Sequence, residues 1–464
     1  MISNKLFGDK AFYKRVFFIT FPIMIQNIIT NLVSLLDNIM VGQVGTEQMT
    51  GVAVVNELLF VFNLCIFGAV SGAGIFTAQF YGKGDNKGVR DTFRIKMMTV
   101  VLITGIFMAA LAFFKEPLIS VFLHEGADDI DVLKTLAFGI DYIDVMIWGL
   151  PFFAIAQAYA STLRETGETV LPMYASVIAV FVNLLFNWLL IFGVKPFPEL
   201  GIVGAAIATV LSRIVECLFI VIFTHTQHEK NVFIKDAFKS LSVKKKLVLD
   251  VMKKGIPLML NETLWAAGMA VLMQSYSVRG IEAVSALNIS MTVSNLFFCA
   301  FFAFGNAITI IVGQHLGSGD LARARDEDTK LIAACIIVCI IVGAIMILVA
   351  PLIPEIYNTT ELVKSLAAKF LIISAILIPA NGFAHASYFT LRSGGKTIIT
   401  FLFDSVFTWF VAIPFSSILS RLTNIDIVTL YLLVQGLEII KAIVGFFLVK
   451  SGVWVNNLVG KKDI

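Results

Sequence analysis

The stretch Gln79-Phe80-Tyr81-Gly82-Lys83-Gly84-Asp85 returns later in the chain as Gln314-His315-Leu316-Gly317-Ser318-Gly319-Asp320, at a spacing of 235 positions. The same spacing relates residues over a much longer region, including Pro22/Pro257, Gly45/Gly280, Glu47/Glu282, Phe62/Phe297, Arg90/Arg325 and Asp91/Asp326. A second block repeats at a spacing of 228 and pairs Pro151/Pro379, Thr162/Thr390, Leu163/Leu391, Arg164/Arg392 and Gly167/Gly395. The chain therefore consists of two related halves, and its fold must be one that a duplication can build.

The composition is that of a membrane protein. Hydrophobic residues make up 58% of the 464 residues, charged residues only 14%, and the mean hydropathy is +0.89. A helix needs roughly 20 apolar residues to cross about 30 Å of hydrocarbon, and helices satisfy their own backbone groups in lipid. Apolar windows and turn signals predict twelve helical spans, at 12–37, 50–80, 95–115, 132–160, 169–193, 201–225, 254–277, 283–314, 330–350, 364–390, 397–419 and 427–449. We therefore expect an all-α membrane protein.

The distribution of basic residues indicates how these spans are oriented. If the first span starts in the cytoplasm, the segments on that side contain most of the Lys and Arg residues, as the positive-inside rule requires. Both termini are then cytoplasmic. Because each half has six spans, both halves enter the membrane in the same direction. We expect two parallel six-helix bundles related by a pseudo-two-fold axis along the membrane normal, an arrangement typical of transporters.

The predicted domains are an N-lobe of residues 1–225, with spans 1–6, and a C-lobe of residues 254–464, with spans 7–12. Residues 226–253 connect them. Apolar and charged residues alternate there around Lys244–Lys246, which indicates a cytoplasmic amphipathic linker on the anionic inner leaflet. Nucleic-acid binding is the weaker alternative, because membrane spans flank this basic run on both sides. The N-terminal basic residues are followed by no small-residue cleavage site, so we interpret the first apolar run as a span.

Ionisable side chains at membrane depth are costly and mark candidate functional sites. Asp37 lies near the end of the first span, has no cation nearby in the sequence, and corresponds to Leu272 in the second half. Because burial disfavours the charged form of a carboxyl group, the pKa of such an acid can rise into the range where protons exchange at neutral pH. Asn183 and Asn187 share one face of the fifth span, where their amides can orient a proton or coordinate a cation. The alternatives are a water-exposed acid and a hydrogen-bonded clamp between helices.

The second half carries different acids. Glu262 follows Pro257 in the seventh span and corresponds to Asn27, whereas Asp404 in the eleventh span corresponds to Ser176. This asymmetry predicts that one half couples to a cation and that either half contacts a cationic substrate. A helix-capping role is the alternative for Asp404, which lies near the inner end of its span.

Other polar residues have simpler interpretations. Arg213 with Glu216, and Glu438 with Lys441, are three residues apart on one helix, so that each pair can neutralise itself. We interpret Asp141 and Asp144 as an outer rim, and lone His385 as a polar contact between helices. The Gly-x-Gly-Asp turns lack the strand-to-helix context of a nucleotide loop, so we expect tight inner turns in which the aspartate caps the next helix. Five cysteines, all in apolar runs, predict neither disulfides nor a metal site.

These features together resemble one family. Twelve spans in two parallel halves, the segment Asp37–Gly42 (Asp-Asn-Ile-Met-Val-Gly), the repeated turn and the Asn183/Asn187 pair resemble the multidrug and toxic compound extrusion (MATE) transporters, on their NorM-like side. The resemblance implies a secondary active multidrug antiporter rather than an enzyme. Such a protein exports amphipathic, often cationic, compounds in exchange for H+ or Na+.

The resemblance also implies roles for individual residues. Asp37, Asn183 and Asn187 form the expected cation-coupling site. The NorM-like branch places acids in the seventh and tenth spans; here Glu262 lies in the seventh, and Asn381 stands in the tenth where an acid would be. The expected substrate-binding residues are therefore Glu262, Asp404, Asn381 and Gln26. No cofactor and no structural metal are expected, and the coupling ion at Asp37 is H+ or Na+.

We further expect a multi-pass protein of the bacterial inner membrane that works as a monomer, with the lipid bilayer and amphipathic cations as partners and no nucleic acid. The alternative function is a flippase for lipid-linked oligosaccharides, whose related fold favours basic residues in its cavity. Here the intramembrane charges are mainly acidic. A membrane-embedded acyltransferase or protease would need a paired catalytic constellation, which His385 and the scattered acids do not form.

Overall fold

The computed structural model describes residues 6–122 and 131–460, and within them it contains helices and no β-strand. Twelve helices are long and apolar enough to cross a membrane: α1 Lys10–Gly42, α2 Thr46–Lys83, α3 Asn86–Ser120, α4 Val132–Glu165, α5 Val170–Ile191, α6 Gly201–Thr226, α7 Lys245–Ser277, α8 Ile281–Ser318, α9 Leu321–Val349, α10 Glu361–Ser393, α11 Thr397–Leu422 and α12 Ile427–Ser451. Short 3-10 turns lie at Val232–Ile234 and Ile353–Ile356. The prediction of an all-α protein with twelve membrane-length helices is confirmed.

Three helices begin well before the predicted start of their spans. Helices α3, α7 and α9 start at Asn86, Lys245 and Leu321, because a helix can continue into water through charged turns that an apolar window does not detect. Residues 245–253, which the sequence predicted as the end of the linker, therefore form the first turns of α7. In the rest of the linker, Phe233 is 3% exposed and its ring packs against Phe93 of α3, with 5.3 Å between the ring centroids.

Several helices are irregular at positions that proline explains. Helix α4 contains a 3-10 turn at Ile147–Gly149, directly before Pro151, and α3 has a non-helical residue at Phe114, shortly before Pro117.

Helix α11 forms π-helical turns over Leu402–Val406 and Thr408–Ala412. Such turns lack the usual i to i−4 hydrogen bonds and often accompany functional side chains. Asp404 lies within the first of them.

The chain forms two compact units. The N-unit comprises Ile25–Thr77 and Asn86–Val248, and the C-unit comprises Met1–Met24, Ala78–Asp85 and Leu249–Ile464. Helix α1 therefore begins in the C-unit and passes into the N-unit shortly after Pro22, while helix α2 ends in the C-unit. Each of these two helices contributes to both units.

Each unit has its own apolar core. In the N-unit, Val55, Phe62 and Ile66 of α2 pack in a cluster with buried residues of α3, α4 and α6. In the C-unit, one face of α1 packs against α8 and α10; its buried members are Phe12, Val16, Ile19 and Ile23. Their three- and four-residue spacing is that of a single helix face.

Many large apolar side chains point away from these cores. Phe113, Phe410 and Ile356 are 80%, 76% and 82% exposed, respectively. Exposed apolar surface of this extent is unfavourable in water and favourable in hydrocarbon. Together with the twelve membrane-length helices, it identifies a multi-pass membrane protein.

The repeated stretches form tight turns, as predicted. Gly84 and Gly319 have φ angles of +76° and +83°, in the left-handed region that glycine adopts without steric cost. In the second copy the carboxylate of Asp320 accepts a hydrogen bond from the backbone N–H of Arg323 at 3.1 Å and so caps α9.

The two copies also contact each other within the C-unit. A Cβ atom added to Gly82 would lie 1.9 Å from the carbonyl oxygen of Gln314, and one added to Gly317 would lie 1.9 Å from that of Gln79. Only glycine permits the backbones of α2 and α8 to approach this closely. The reciprocal contact explains why both copies carry glycine three residues after glutamine.

The C-terminal segment, Gly452–Gly460, packs beside this crossing. The Gln79 side chain donates to the carbonyl oxygen of Asn456 at 3.2 Å and accepts from the backbone N–H of Leu458 at 2.7 Å. Lys83 donates to the carbonyl oxygen of Val459 at 2.7 Å. The first copy of the repeated stretch thus holds the end of the described chain.

Replacing Gly317 with alanine tests the reciprocal contact. We expect Gly317→Ala to destabilise the protein by about 1–3 kcal/mol, because the new methyl group overlaps the Gln79 carbonyl and forces the helices apart. The measurement is the apparent Tm of the purified protein in detergent. Gly105→Ala in α3 is the control, since no atom lies within 4 Å of its added Cβ. Equal Tm values for the two variants would contradict the assigned contact.

Candidate functional site

The predicted coupling residues come together in the N-unit. Asn187 of α5 donates a hydrogen bond from Nδ2 to Oδ1 of Asp37 at 2.5 Å. With the Asn183 amide nitrogen turned toward the same carboxylate, it donates to Oδ1 at 2.9 Å and to Oδ2 at 3.2 Å. The Asn183 oxygen then accepts from the Thr209 hydroxyl at 3.3 Å. Asp37 is partly buried, and Asn183 and Asn187 are only 4% and 1% exposed.

One oxygen of this site has no hydrogen-bond partner among the residues that the structure describes. Oδ1 of Asn187 is buried and unbonded, beside a carboxylate whose oxygens accept from two amides. A buried unsatisfied acceptor is unfavourable unless a donor or a cation fills the space next to it. Carboxylate, amide and hydroxyl oxygens are the donor atoms that hard cations such as Na+ bind. The site therefore has the chemistry to hold a proton or a small monovalent cation.

Close packing of α5 and α6 positions these side chains. A Cβ atom added to Gly204 would lie 2.6 Å from the carbonyl oxygen of Leu190, so the two helices are in backbone contact near this point. The approach brings Thr209 of α6 within reach of Asn183 on α5. Asn183 and Asn187 are one helical turn apart, which directs both amides to Asp37 on α1.

The predicted acids of the C-unit lie in one hydrogen-bonded chain. Lys441 of α12 places Nζ 2.6 Å from Oδ1 of Asp404, and Asn261 of α7 donates to Oδ2 of Asp404 at 3.1 Å. The Asn261 amide also lies 3.3 Å from the Tyr388 hydroxyl, which donates to Glu262 Oε1 at 3.2 Å. A cation thus lies at one end of the chain and Glu262 at the other.

Lys441 has a second acidic partner besides the predicted one. It pairs with Glu438 of its own helix at 3.6 Å, as the spacing of three residues indicated, but the oxygen of Asp404 is closer, at 2.6 Å. Asp404 lies on another helix, so sequence spacing could not identify this pair. Ser405 helps to hold the site, since its hydroxyl donates to the Asn261 side-chain oxygen at 2.8 Å.

Gln26 and Asn381 make no hydrogen bond to the members of that chain within the described residues. Gln26 belongs to the N-unit, where it donates to the Ser176 hydroxyl at 2.7 Å and accepts from Arg164 at 3.3 Å. Asn381 is a partly buried residue of α10. Among the described residues, no hydrogen bond joins Asn381 to Glu262 or Asp404.

The structure agrees with some of the other predictions for ionisable residues and disagrees with one. Arg213 and Glu216 form the expected ion pair, 3.1 Å apart. Asp144 pairs with Lys115 at 2.5 Å and is 53% exposed, as expected for a rim position. The prediction of a polar contact for His385 is wrong for one ring nitrogen, because Nε2 is buried and has no hydrogen-bond partner in the described part of the chain. Three phenylalanine rings lie about it with centroids 4.7–5.1 Å away, namely Phe301, Phe302 and Phe389.

No cluster of three or more His, Cys, Asp or Glu side chains with metal-binding geometry occurs within residues 6–122 and 131–460. The five cysteines are free thiols, four of them buried.

Comparison with known proteins identifies the family. The sequence profile of the MatE family matches residues 22–189 and 257–418, one segment in each half of the chain. The chain belongs to the MatE family. MATE proteins are transporters rather than enzymes, and the family is one of multidrug efflux.

Several relatives resemble this MATE transporter over most of its length. A probable multidrug resistance protein NorM from Thermotoga maritima is 24% identical over 96% of this chain and 94% of its own. A protein from Shewanella oneidensis, named as an FAD transporter, is 25% identical over 63% of this chain and 62% of its own. A solved outward-facing multidrug resistance MATE transporter of the MOP superfamily has a TM-score of 0.86, 18% identity and 97% coverage of both chains, which shows the shared fold.

Sequence reasoning missed one buried ion pair of this transporter. Lys96 of α3, the second residue of the predicted span 95–115, is 0% exposed and pairs with Glu165 of α4. Its ammonium group also donates to the hydroxyls of Ser161 at 2.9 Å and Thr162 at 3.1 Å. The signal available was the position of Lys96 inside a predicted membrane span, because an ionisable residue at such a position needs a partner from the protein.

Removing the Lys96 cation distinguishes a buried ion pair from an exposed one. We expect Lys96→Met to destabilise the protein by about 3–5 kcal/mol, because Glu165 is left as a buried charge without its cation. Lys115→Met, which breaks the exposed pair with Asp144, should cost less than about 1 kcal/mol. The apparent Tm in detergent measures both, and Lys96→Met/Glu165→Gln should recover most of the loss. A similar Tm change for Lys96→Met and Lys115→Met would refute the distinction.

Proposed function

We propose that this MATE transporter is a secondary active antiporter that exports amphipathic cationic compounds in exchange for H+ or Na+. The observation that carries the proposal is the N-unit site, where Asp37 is held by two asparagine amides beside the unsatisfied oxygen of Asn187. A carboxylate in such surroundings changes its interactions when a cation binds, which is the requirement for ion coupling.

The difference between the two halves supports coupling through the N-unit. The repeat position of Asp37 is Leu272, and those of Asn183 and Asn187 are Val411 and Phe415. Leu272 is 9% exposed and lies in an apolar cluster of the C-unit. The C-unit therefore has no counterpart of this oxygen-rich site at the matching positions, and the architecture that both halves share does not require Asp37.

The C-unit carries features suited to a cationic passenger. Among the described residues Glu262 makes no ion pair, and Tyr388 donates to only one of its carboxylate oxygens. We assign Glu262 and Asp404 to the binding of the cationic group, and Asn381 and Gln26 to polar contacts with the rest of the substrate. The oligosaccharide flippase alternative would need basic groups for a pyrophosphate, whereas Asp37, Glu262 and Asp404 are acids.

The proposed exchange cycle depends on the negative charges of these acids and the positive charges of the two ligands. A cation that binds at Asp37 from outside and a cationic substrate that binds from inside each neutralise buried acids. Each ligand can drive the transporter only through a difference in its affinity for the two conformational states. We place the protein in the bacterial inner membrane, where we expect it to work as a monomer. Both termini are then in the cytoplasm, because most loop Lys and Arg residues fall on that side.

Asp37→Asn tests the coupling role. We expect the variant to insert normally and to lose ion-driven export, because an amide cannot take up H+ or compensate the charge of Na+. The measurement is ethidium transport in proteoliposomes with pH and Na+ gradients imposed separately. Asp144→Asn, an acid of the exposed rim, is the matched control and should transport as wild type. Full antiport by Asp37→Asn under either gradient would sink the proposal.

Asn187→Leu separates the two coupling ions. Sodium needs neutral oxygen ligands besides the carboxylate, whereas a proton needs only the carboxylate itself. We expect Asn187→Leu to abolish transport driven by a Na+ gradient and to leave a substantial part of transport driven by a pH gradient. The same proteoliposome assay measures both. Unchanged Na+-driven transport would show that Asn187 is not an ion ligand.

Glu262→Gln tests the substrate assignment. We expect the KM for cationic substrates to rise more than that for neutral ones, because the substitution removes a charge and keeps the size of the side chain. Transport of ethidium and of a neutral dye by the same preparation gives the comparison. An equal change for both substrates would contradict a charge-based role for Glu262.

A further inference from the structure

A matching polar network occupies equivalent positions in the two units. Gln26 corresponds to Asn261 at the spacing of 235. Ser176 corresponds to Asp404, and Arg213 to Lys441, at the spacing of 228. In each unit the first helix of the half supplies an amide, the fifth supplies the residue bonded to that amide, and the sixth supplies a cation.

The contacts of the two networks are alike. In the N-unit, Gln26 donates to the Ser176 hydroxyl at 2.7 Å, and this hydroxyl donates to Glu216 at 2.8 Å. Arg213 completes the network by pairing with Glu216 at 3.1 Å. In the C-unit the corresponding amide and cation, described above, both bond directly to Asp404. Each half thus has a cation bonded to an acid, which is buried in the N-unit and partly buried in the C-unit.

The location of the acid differs between the networks. In the N-unit the acid and its cation share α6, and Arg213 also lies over the Phe153 ring at 5.0 Å. In the C-unit the acid that bonds to the amide is on α11 and the cation is on α12, 2.6 Å apart. Lys441 also pairs with Glu438 of its own helix, at 3.6 Å, and lies 5.8 Å from the centroid of the Phe403 ring. The closest acid of Lys441 is therefore on a neighbouring helix, whereas that of Arg213 is on its own. The Lys441 side chain is 11% exposed, and its flexible stem allows the ammonium group to move away from Asp404.

We propose that Lys441 is a tethered competitor of the cationic substrate: its ammonium group neutralises Asp404 when no substrate is bound, and the substrate cation displaces it. The inference rests on the proposed function, and it assigns to Lys441 the control of the substrate site's charge specificity. Displacement leaves Lys441 close to Glu438, whose oxygen is already 3.6 Å from Nζ. The amide of Asn261 joins Asp404 through Tyr388 to Glu262, so both acids belong to the same substrate site.

The physical reason is the cost of an uncompensated buried charge. An empty site that held Asp404 without a cation would be strongly unfavourable, and a site that released its only cation would release it slowly. A tethered ammonium group compensates the acid in both situations. It weakens the binding of cations, which must compete with it, and it speeds their release. Neutral compounds do not compete for Asp404 and are unaffected.

Lys441→Met provides the test, with ethidium as the cationic probe and N-phenyl-1-naphthylamine as the neutral one. We expect the Kd of ethidium for the purified full-length protein to fall by about tenfold or more, because the competitor is gone. The Kd of the neutral probe should not change. In proteoliposomes the KM for ethidium should fall together with the maximal rate. Lys441→Arg keeps the charge and should bind ethidium as wild type does.

Two further variants serve as controls. Arg213→Met removes the cation at the equivalent position of the N-unit and should leave the ethidium Kd unchanged. Lys441→Met/Asp404→Asn should lose the gain in affinity, because the acid is gone as well. If Lys441→Met does not fold, Lys441→Gln is measured in its place with the same expectation.

Ethidium binding that is unchanged, weaker or undetectable in the Lys441 variants would overturn the inference, as would an equal gain for the neutral probe. These failures differ from a failure of the proposed function. If wild-type proteoliposomes export no organic cation under either gradient, the antiport proposal fails. If wild type exports ethidium and Lys441→Met gains no affinity, only the role of Lys441 fails.

Discussion

A charge placed between apolar helices is unfavourable unless a polar group from the protein or a ligand is bonded to it, and this constraint shapes both units. Lys96 is completely buried and is bonded to a carboxylate and two hydroxyls. Asp404 is bonded to an ammonium group and an amide. Asp37 differs because, within the described part of the chain, its hydrogen-bond partners are neutral amides and no cation is bonded to it. In the function that we propose, an ion from outside the protein supplies the missing positive charge.

The duplication explains where these groups can be. The two halves share turns, prolines and the glycines that let α2 and α8 cross, because these features form the helices and their packing. The acids are free to differ, since a carboxyl group can be supplied by any helix that faces the same point. Ser176 with Glu216 in one half and Asp404 in the other show the outcome: the acid moves from one helix to another while the amide and the cation keep their positions.

The fold was predictable from the sequence to the level of twelve helices, because the length and apolarity of a span follow from the thickness of a membrane. The sequence placed Asn183 and Asn187 on one face of α5 and showed no cation near Asp37, but only the family resemblance led us to expect that the three residues meet. The pairing of Lys441 with Asp404, the burial of Lys96 and the aromatic surroundings of His385 were not predictable. Each depends on contacts between helices, which sequence spacing does not encode, and the crossing of Gly82 and Gly317 depends on them too.

The bonds of Gln79 to the C-terminal segment have a consequence for biosynthesis. Gln79 and Leu458 are separated by 379 positions, so the ribosome needs roughly 20–75 s to add the second partner after the first. During that time α2 is already in the membrane, while its last turn has no backbone groups from Asn456 or Leu458 to bond. Folding of this end of the protein is thus completed only after nearly the whole chain has been translated. A chain released early by a nonsense codon after α12 would have all its membrane helices and lack this final closure.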